Sequence, residues 1–176
     1  AGLRRLKLAA IRRTAPEVLI TAKTQRWTPE EVLRTLVETE LAARLPSGIC
    51  AALAVVIVAV WGARLYGEAT GWRAAIIFGL CVQTLVHAHA AVADMAMVAA
   101  SVASAWAGWN WLTVKPGKAR IGWWLAFWAL LAVGFLAKGP IAWAPIGMAI
   151  WTTFRLKREE RPGLIAWLAG AAIMIA

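Results

Sequence analysis

Hydrophobic residues in this chain form long runs without a charged residue, starting near Leu45. The runs cover residues 45–63, 74–93, 95–114, 121–137, 139–154 and 162–176. A helix needs about 20 mainly apolar residues, within a range of about 17–25, to cross a bilayer. The first three runs have 19, 20 and 20 residues, and they predict membrane-spanning helices.

The fourth and fifth runs lie on either side of one charged residue, Lys138. They predict two more spanning helices if this lysine lies at a membrane interface. A re-entrant pair around Gly139 and Pro140 is the alternative, because these residues interrupt helices. The sixth run ends with the chain and predicts a truncated helix. The predicted fold is an all-α polytopic membrane helix bundle with about five transmembrane helices and a truncated sixth.

The first 44 residues alternate apolar and basic positions instead. This pattern predicts two amphipathic helices, with a restart at Pro16. Thr28 is the predicted N-cap of the second helix, with Pro29 at its first position and Glu31 closing a capping box. An apolar stripe follows, at Val32, Leu33, Leu36, Val37 and Leu41. We therefore divide the chain into a basic helical arm, residues 1–44, and a membrane domain, residues 45–176.

Composition excludes an ordinary soluble domain. Hydrophobic residues make up 61% of the 176 residues, against about 45–50% in typical soluble proteins. The net charge of +10 is compatible with nucleic-acid binding. Because apolar runs separate the charges, a bias of basic residues toward cytoplasmic loops explains it better. No nucleic-acid partner is expected for the membrane domain, and DNA binding by the arm would depend on its basic face alone.

Basic residues alternate strongly between successive loops. The first, third and fifth loops hold nine of them: Arg64, Arg73, Lys115, Lys118, Arg120, Arg155, Lys157, Arg158 and Arg161. The second and fourth loops hold Lys138 alone. The positive-inside rule places the odd loops in the cytoplasm and the even loops outside. It also places the basic arm outside, so either another helix preceded Leu45 or the arm is foreign to this domain.

Four short motifs in the membrane domain resemble a known family. They are AARLPS at residues 42–47, ARLYG at residues 63–67, HAH at residues 87–89 followed by Asp94, and FLAKGP at residues 135–140. In order and spacing these resemble bacterial GT-C glycosyltransferases of family 39 type, which are similar to protein O-mannosyltransferases and to the aminoarabinose transferase of lipid A. The resemblance covers roughly residues 42–155.

This resemblance implies a partial GT-C fold in a bacterial inner membrane, with the active site on the exoplasmic face. Such enzymes transfer a sugar from a polyprenyl-phosphate carrier to an acceptor, so the implied partners are a polyprenyl-phosphate sugar donor and the lipid bilayer. The family's first helix, the acidic pair of its first outer loop and its EKPP motif are not found before residue 42. We therefore expect this chain to be incomplete and inactive as a transferase.

Residues 3–44 resemble a different family. The segments LRRLKLAAIRR and RWTPEEVLRTLVETELAAR are similar to the N-terminal helical region of ATP-binding helper proteins of insertion-sequence transposases. The helpers' phosphate-binding loop is not found, since residues 117–119 read Gly-Lys-Ala and lack the hydroxyl of that motif. This resemblance predicts a fusion within the shared letters LAAR.

Asp94, His87 and His89 are the candidate catalytic residues. A carboxylate within a membrane region costs free energy and is a functional hypothesis by default. Asp94 could bind a metal, orient the donor or accept a proton from the acceptor. It could equally be the N-cap of the helix that follows it. The histidines could relay a proton or bind a metal, although polar residues at an interface are the simpler interpretation. The family usually has arginine where His89 stands.

Lys138 is the candidate residue for binding the lipid phosphate, because its ammonium can act as a mobile point charge. Snorkelling to the headgroups is the alternative. No cofactor is assigned; a divalent metal is the candidate, and its ligands are unknown. A non-enzymatic membrane segment, a transporter fragment or an inert fusion product is the alternative function, favoured if Asp94 and Lys138 lie apart.

Overall fold

The structure, a computed structural model, describes residues 9–81, 84–85, 94–156 and 161–175. These residues are all-α, as predicted. The helices are α1 (Ala9–Gln25), α2 (Pro29–Tyr66), α3 (Glu68–Leu80), α4 (Asp94–Thr113), α5 (Lys118–Lys138), a 3-10 helix (Gly139–Trp143), α6 (Ala144–Arg155) and α7 (Leu164–Ile175).

Helix α2 begins where the sequence predicts. The Thr28 hydroxyl accepts a hydrogen bond from the Glu31 N–H, and the Glu31 carboxylate accepts one from the Thr28 N–H at 2.7 Å. The capping box is therefore confirmed. The helix then continues without interruption for 38 residues, through Arg44 and Pro46. At 1.5 Å per residue it is about 57 Å long, which exceeds the hydrocarbon thickness of about 30 Å.

The predicted restart at Pro16 is wrong. Helix α1 runs through this residue from Ala9 to Gln25. Proline lacks an N–H, so it removes one helical hydrogen bond, and the helix continues on both sides of it. Helix α1 packs on the first half of α2, where the carboxylate of Glu40 accepts a hydrogen bond of 3.0 Å from the Ile11 N–H.

Helices α2 and α3 form a hairpin whose backbones approach closely at glycine. A Cβ atom at Gly71 would lie 2.5 Å from the Ala59 carbonyl oxygen and 2.5 Å from the Ala63 nitrogen. Small residues allow this approach in membrane helices, where van der Waals contact between helices is a main source of stability. The hairpin turns at Gly67, whose φ of +91° favours glycine.

Helices α4 and α5 enclose the aromatic core of the bundle. Phe127 is fully buried, and its ring lies 5.7 Å from the ring of Trp111 and 5.2 Å from that of Trp128. Tryptophans near the ends of apolar runs are typical of an interfacial belt, but Trp111 is buried in this core. Sequence spacing placed it near the end of an apolar run but could not show which side of the helix is covered. Trp72 and Trp151 are exposed, as a belt requires.

The chain reverses direction after α5. The rings of Phe135 and Trp143 stack at 5.6 Å, and a Cβ at Gly134 would lie 3.0 Å from the Ala142 Cβ. Residues eight apart in a straight helix are about 12 Å apart, so the 3-10 segment folds back on α5. Helix α6 then runs back along α4. Leu156, which follows α6, lies near Leu112 of α4, since both residues line one small cavity.

Within the part of the chain that the structure describes, two helical stretches are long and apolar enough to cross a membrane, Pro29–Tyr66 and Lys118–Arg155. The second consists of the two arms of the reversal just described. Many large apolar side chains on these stretches are exposed, including Leu53, Val56 and Leu136, as expected for a lipid-facing surface. Of the predicted span over residues 74–93, the structure describes α3, which ends at Leu80, and helical residues 84–85.

Candidate functional site

Asp94 and Lys138, 44 positions apart in the sequence, form an ion pair. The Lys138 Nζ lies 2.5 Å from the Asp94 Oδ1. The Asp94 side chain is mostly covered, with 18% of its surface exposed, whereas 43% of the Lys138 side chain is exposed. The ammonium is thus the accessible partner. The structure brings together these two candidate residues from separate helices.

Each residue of the pair is placed by the end of a helix. Asp94 is the first residue of α4, where a carboxylate interacts favourably with the free N–H groups and the helix dipole. Lys138 is the last residue of α5. Gly139 follows it with φ of +78°, a conformation that favours glycine, and Pro140 starts the 3-10 helix. The FLAKGP motif therefore encodes a helix stop and a reversal.

Small side chains keep the two helices close near the pair. A Cβ at Gly134 would lie 3.4 Å from the Ala100 Cβ of α4 and 3.0 Å from that of Ala142. Larger residues here would separate α4 from α5. The close approach positions the end of α5 beside the start of α4, which places Lys138 within reach of Asp94.

The pair lies at the opposite end of the bundle from the basic loops. Helix α4 has 20 residues, so Asp94 and Thr113 are separated by about 28 Å. At the Thr113 end, the Arg120 side chain donates a hydrogen bond of 3.1 Å to the Trp111 carbonyl oxygen. Arg64 lies over the Trp106 ring at 5.3 Å. The described basic residues Arg64 and Arg120 therefore lie toward the end of α4 opposite the pair.

Comparison with known protein families decides the classification. The dolichyl-phosphate-mannose-protein mannosyltransferase family matches residues 26–176. The chain belongs to this family. Its members are membrane glycosyltransferases of the GT-C type that use a lipid-linked sugar donor. Comparisons with curated proteins and with solved structures gave no match.

The mannosyltransferase family match also bears on the arm. It starts at residue 26, so it includes the second half of the predicted arm. No comparison supports the resemblance of residues 3–44 to transposase helper proteins. The division of the chain at residue 44 stays a prediction. Helix α2 and the mannosyltransferase family match both extend across that residue.

His87 and His89 lie outside the described residues, so their predicted roles stay predictions. Among the residues that the structure describes, no group of three His, Cys, Asp or Glu side chains could hold a metal ion. At Asp94 an ammonium already occupies the position where a cation would bind the carboxylate. We derive no step through a metal.

The sequence did not single out Glu40, a carboxylate that the structure buries. Its Oε2 accepts a hydrogen bond from the Ile11 N–H at 3.0 Å, and its Oε1 accepts one from the Arg44 Nε at 2.9 Å. Burial acts to raise the pKa of Glu40, but these hydrogen bonds and the charge of Arg44 outweigh burial and lower it. The spacing of Glu40 and Arg44, four residues apart on one helix, was a signal for their pairing. No local signal indicated Ile11.

Proposed function

We propose that this chain is the membrane part of a glycosyltransferase that moves a sugar from a polyprenyl-phosphate carrier to an acceptor on the exoplasmic face. The observation that carries the proposal is the ion pair between Asp94 and Lys138. The pair lies at the end of the bundle opposite the basic loops. The positive-inside rule assigns this end to the outer surface. Family membership supports a lipid-linked sugar donor.

Lys138 binds the phosphate of the carrier in this proposal. Its side chain is the more exposed of the pair, and its flexible stem lets the ammonium move to an incoming anion. A polyprenyl phosphate presents its charge at the edge of the bilayer, where Lys138 is expected to lie. Engagement of Lys138 by the phosphate releases the carboxylate of Asp94 from the ion pair.

Asp94 then serves as the base. The acceptor hydroxyl oxygen forms a bond to the sugar's anomeric carbon, and the bond from that carbon to the phosphate oxygen breaks. The electron pair leaves with the phosphate, whose charge Lys138 stabilises, while the acceptor proton passes to Asp94. His87 and His89 are proposed to relay this proton. General-base contributions of this kind are about 10²–10⁴-fold in rate.

We propose that the site needs a further protein segment that supplies the acidic residues of the family's first outer loop. The acidic pair and the EKPP motif of the resembled glycosyltransferases do not occur in this sequence. We expect about five transmembrane helices and a sixth that begins at α7, with the chain alone inactive.

The test is a transfer assay with a polyprenyl-phosphate sugar donor. A chain joined to a family-type first helix and outer loop should release sugar from the donor. Asp94→Asn should lower the rate about 10²–10⁴-fold. Lys138→Met should also lower the rate. Its matched control is Lys118→Met, at the opposite end of α5, which should not. Activity of the unextended chain, or extended-chain activity that survives combined Asp94→Ala and Lys138→Ala, would reject this site.

A further inference from the structure

Two stacked aromatic rings lie close in the chain to Lys138, one on each arm of the reversal. Phe135 belongs to the last turn of α5, and Trp143 ends the 3-10 helix. Their ring centroids are 5.6 Å apart, and the ring planes differ by 9°. Nearly parallel rings at this separation are offset, which is a favourable aromatic geometry. Both side chains keep exposed surface, 37% for Phe135 and 41% for Trp143. We call these two rings the aromatic stack.

The aromatic stack lies on the side of Lys138 that is nearer the middle of the bundle. Helix α5 runs from Lys118 at the basic end to Lys138, so Phe135 precedes the lysine by about 4.5 Å along the helix axis. Side chains three residues apart on a helix are neighbours. Trp143 lies at the level of Phe135 because the two rings stack. An ammonium therefore lies nearest the end of the bundle, with an aromatic surface next to it at a deeper level.

Backbone contacts hold both rings in place. The Gly139 N–H donates a hydrogen bond to the Phe135 carbonyl oxygen, and the positive φ of Gly139 turns the chain after α5. A Cβ at Gly134 would lie 3.0 Å from the Ala142 Cβ, so the two arms are in contact one residue before each ring. The aromatic stack is therefore formed in advance, and little conformational entropy is lost when a ligand covers it.

The position of the aromatic stack suits a ligand whose apolar chain starts directly at a phosphate. The family uses a lipid-linked sugar donor, and the proposed function places the carrier phosphate at Lys138, whose side chain is 43% exposed. A chain that leaves this phosphate toward the bilayer reaches the level of Phe135 within its first few carbons. In a glycerophospholipid, glycerol and ester groups follow the phosphate, so polar atoms would lie against the rings instead.

We infer that the aromatic stack binds the first isoprene unit of the polyprenyl carrier, with this flat unit against the exposed surface of Trp143. The inference rests on the proposed function and adds two carrier-binding residues to the same site. Phosphate at Lys138 and isoprene at the aromatic stack together fix the position of the bond that breaks during transfer. An isoprenoid chain is thereby distinguished from an acyl chain at its phosphate end.

The test is photocrosslinking of the full chain, purified in detergent, with farnesyl phosphate that carries a diazirine on its first isoprene unit. Peptide mass spectrometry should map the label to residues 135–143. Unlabelled farnesyl phosphate should compete about two- to tenfold better than phosphatidic acid, which has a phosphate but no isoprene unit; aromatic contacts contribute affinity of this size. Equal competition by the two lipids, or label spread over the exposed apolar surface of the bundle, would overturn the inference.

Variants of Trp143 test the same contact by affinity. Trp143→Leu should weaken the binding of farnesyl phosphate about two- to tenfold, whereas Trp143→Phe, which keeps a ring, should retain most of it. Trp151→Leu is the matched control, because Trp151 is an exposed tryptophan of α6 whose ring lies beside Arg155. Circular dichroism should show unchanged helix content, and the wild-type label decides the matter if Trp143→Leu does not fold. Equal losses in the two leucine variants would contradict the inference.

Lys138→Met separates this inference from the proposed function. If that variant keeps the wild-type affinity and its label still maps to residues 135–143, the aromatic stack is supported and the role of Lys138 is rejected. If Lys138→Met loses affinity but the wild-type label lies elsewhere, the role of Lys138 is supported and the aromatic stack is rejected. We expect a loss of affinity in the variant together with a wild-type label on the aromatic stack.

Discussion

Charged side chains in the membrane domain are held against specific partners. Asp94 pairs with Lys138, Arg64 lies over the Trp106 ring, and Arg120 donates to the Trp111 carbonyl oxygen. A charged side chain inside or beside a bilayer raises the free energy of the protein unless it has a polar or charged partner or reaches water. These contacts explain how charged residues are tolerated at the ends of α4 and α5, next to the apolar residues of these helices.

Gly71 is the residue at which the α2–α3 hairpin is least tolerant of change. Gly71→Ala should destabilise the chain by about 1–3 kcal/mol, because the new Cβ meets the backbone of Ala59 and Ala63 rather than a flexible side chain. Gly48→Ala is the matched control: a Cβ there has no neighbour within 4 Å. That control should gain up to about 1 kcal/mol from helix propensity. Thermal unfolding in detergent measures both, and equal midpoints would contradict the packing described here.

Some contacts could be predicted from local sequence patterns, and others could not. The capping box of Thr28 and Glu31 could be predicted because its partners are three residues apart. The contact between Ile11 and Glu40 joins residues 29 apart, and no local pattern encodes it. Asp94 and Lys138 were candidates by residue type, but their pairing follows from the packing of α4 on α5.

At the level of helices, α2 combines a membrane span with an extension. The uncharged run from Leu45 to Ala63 accounts for only half of its length. We divided the chain where composition changes, at residue 44, but helical hydrogen bonding depends on the backbone and continues through such a change. Helix α1 covers the extension and buries Glu40. The sequence pattern predicted where helical segments lie. It did not predict that the second arm helix and the first span form one continuous helix.

The contact between α1 and α2 should depend on pH. Because the pKa of Glu40 is lowered in the folded chain, its contribution is fully present above the ordinary glutamate value of about 4.3. It is lost as pH falls through the folded-state value. Distances between spin labels at positions 13 and 37, with Cys50 and Cys81 replaced by serine, should lengthen in acid and stay constant between pH 6 and 8.

A glutamine variant tests the same carboxylate at neutral pH. Glu40→Gln replaces charged hydrogen bonds with neutral ones and should weaken the docking of α1 by about 1 kcal/mol. Glu38→Gln is the control, because its ion pair with Arg34 is exposed on both sides. Such exposed pairs contribute little to stability. A larger loss in the Glu38 variant than in the Glu40 variant would contradict the burial of this carboxylate.

At the scale of the whole molecule, the basic loops of the membrane domain lie at one end of the bundle and the Asp94–Lys138 pair lies at the other. This arrangement follows from the reversal after Lys138, which returns α6 to the basic end beside Leu112. Loop charge predicts which end faces the cytoplasm, since basic residues alternate strongly between loops, and that orientation stays a prediction. The sequence could not indicate that α6 has only 12 helical residues or that the 3-10 segment completes that arm.

Thiol labelling in intact cells checks the predicted orientation. With Cys50 and Cys81 replaced by serine, a cysteine at Ala91 should react with a membrane-impermeant reagent. A cysteine at Lys118 should react only after the membrane is permeabilised, because its loop is predicted to be cytoplasmic. The reverse pattern would place the Asp94–Lys138 pair in the cytoplasm.

Binding of a polyprenyl phosphate to the purified full chain tests the central claim most directly. We predict that Lys138→Met weakens binding by about tenfold or more, since a hydrogen bond to a charged group contributes about 1.5–3 kcal/mol. Lys115→Met, at the basic end, should leave the affinity unchanged. Equal affinities for the wild-type chain and Lys138→Met would contradict the assignment of this lysine to the carrier phosphate.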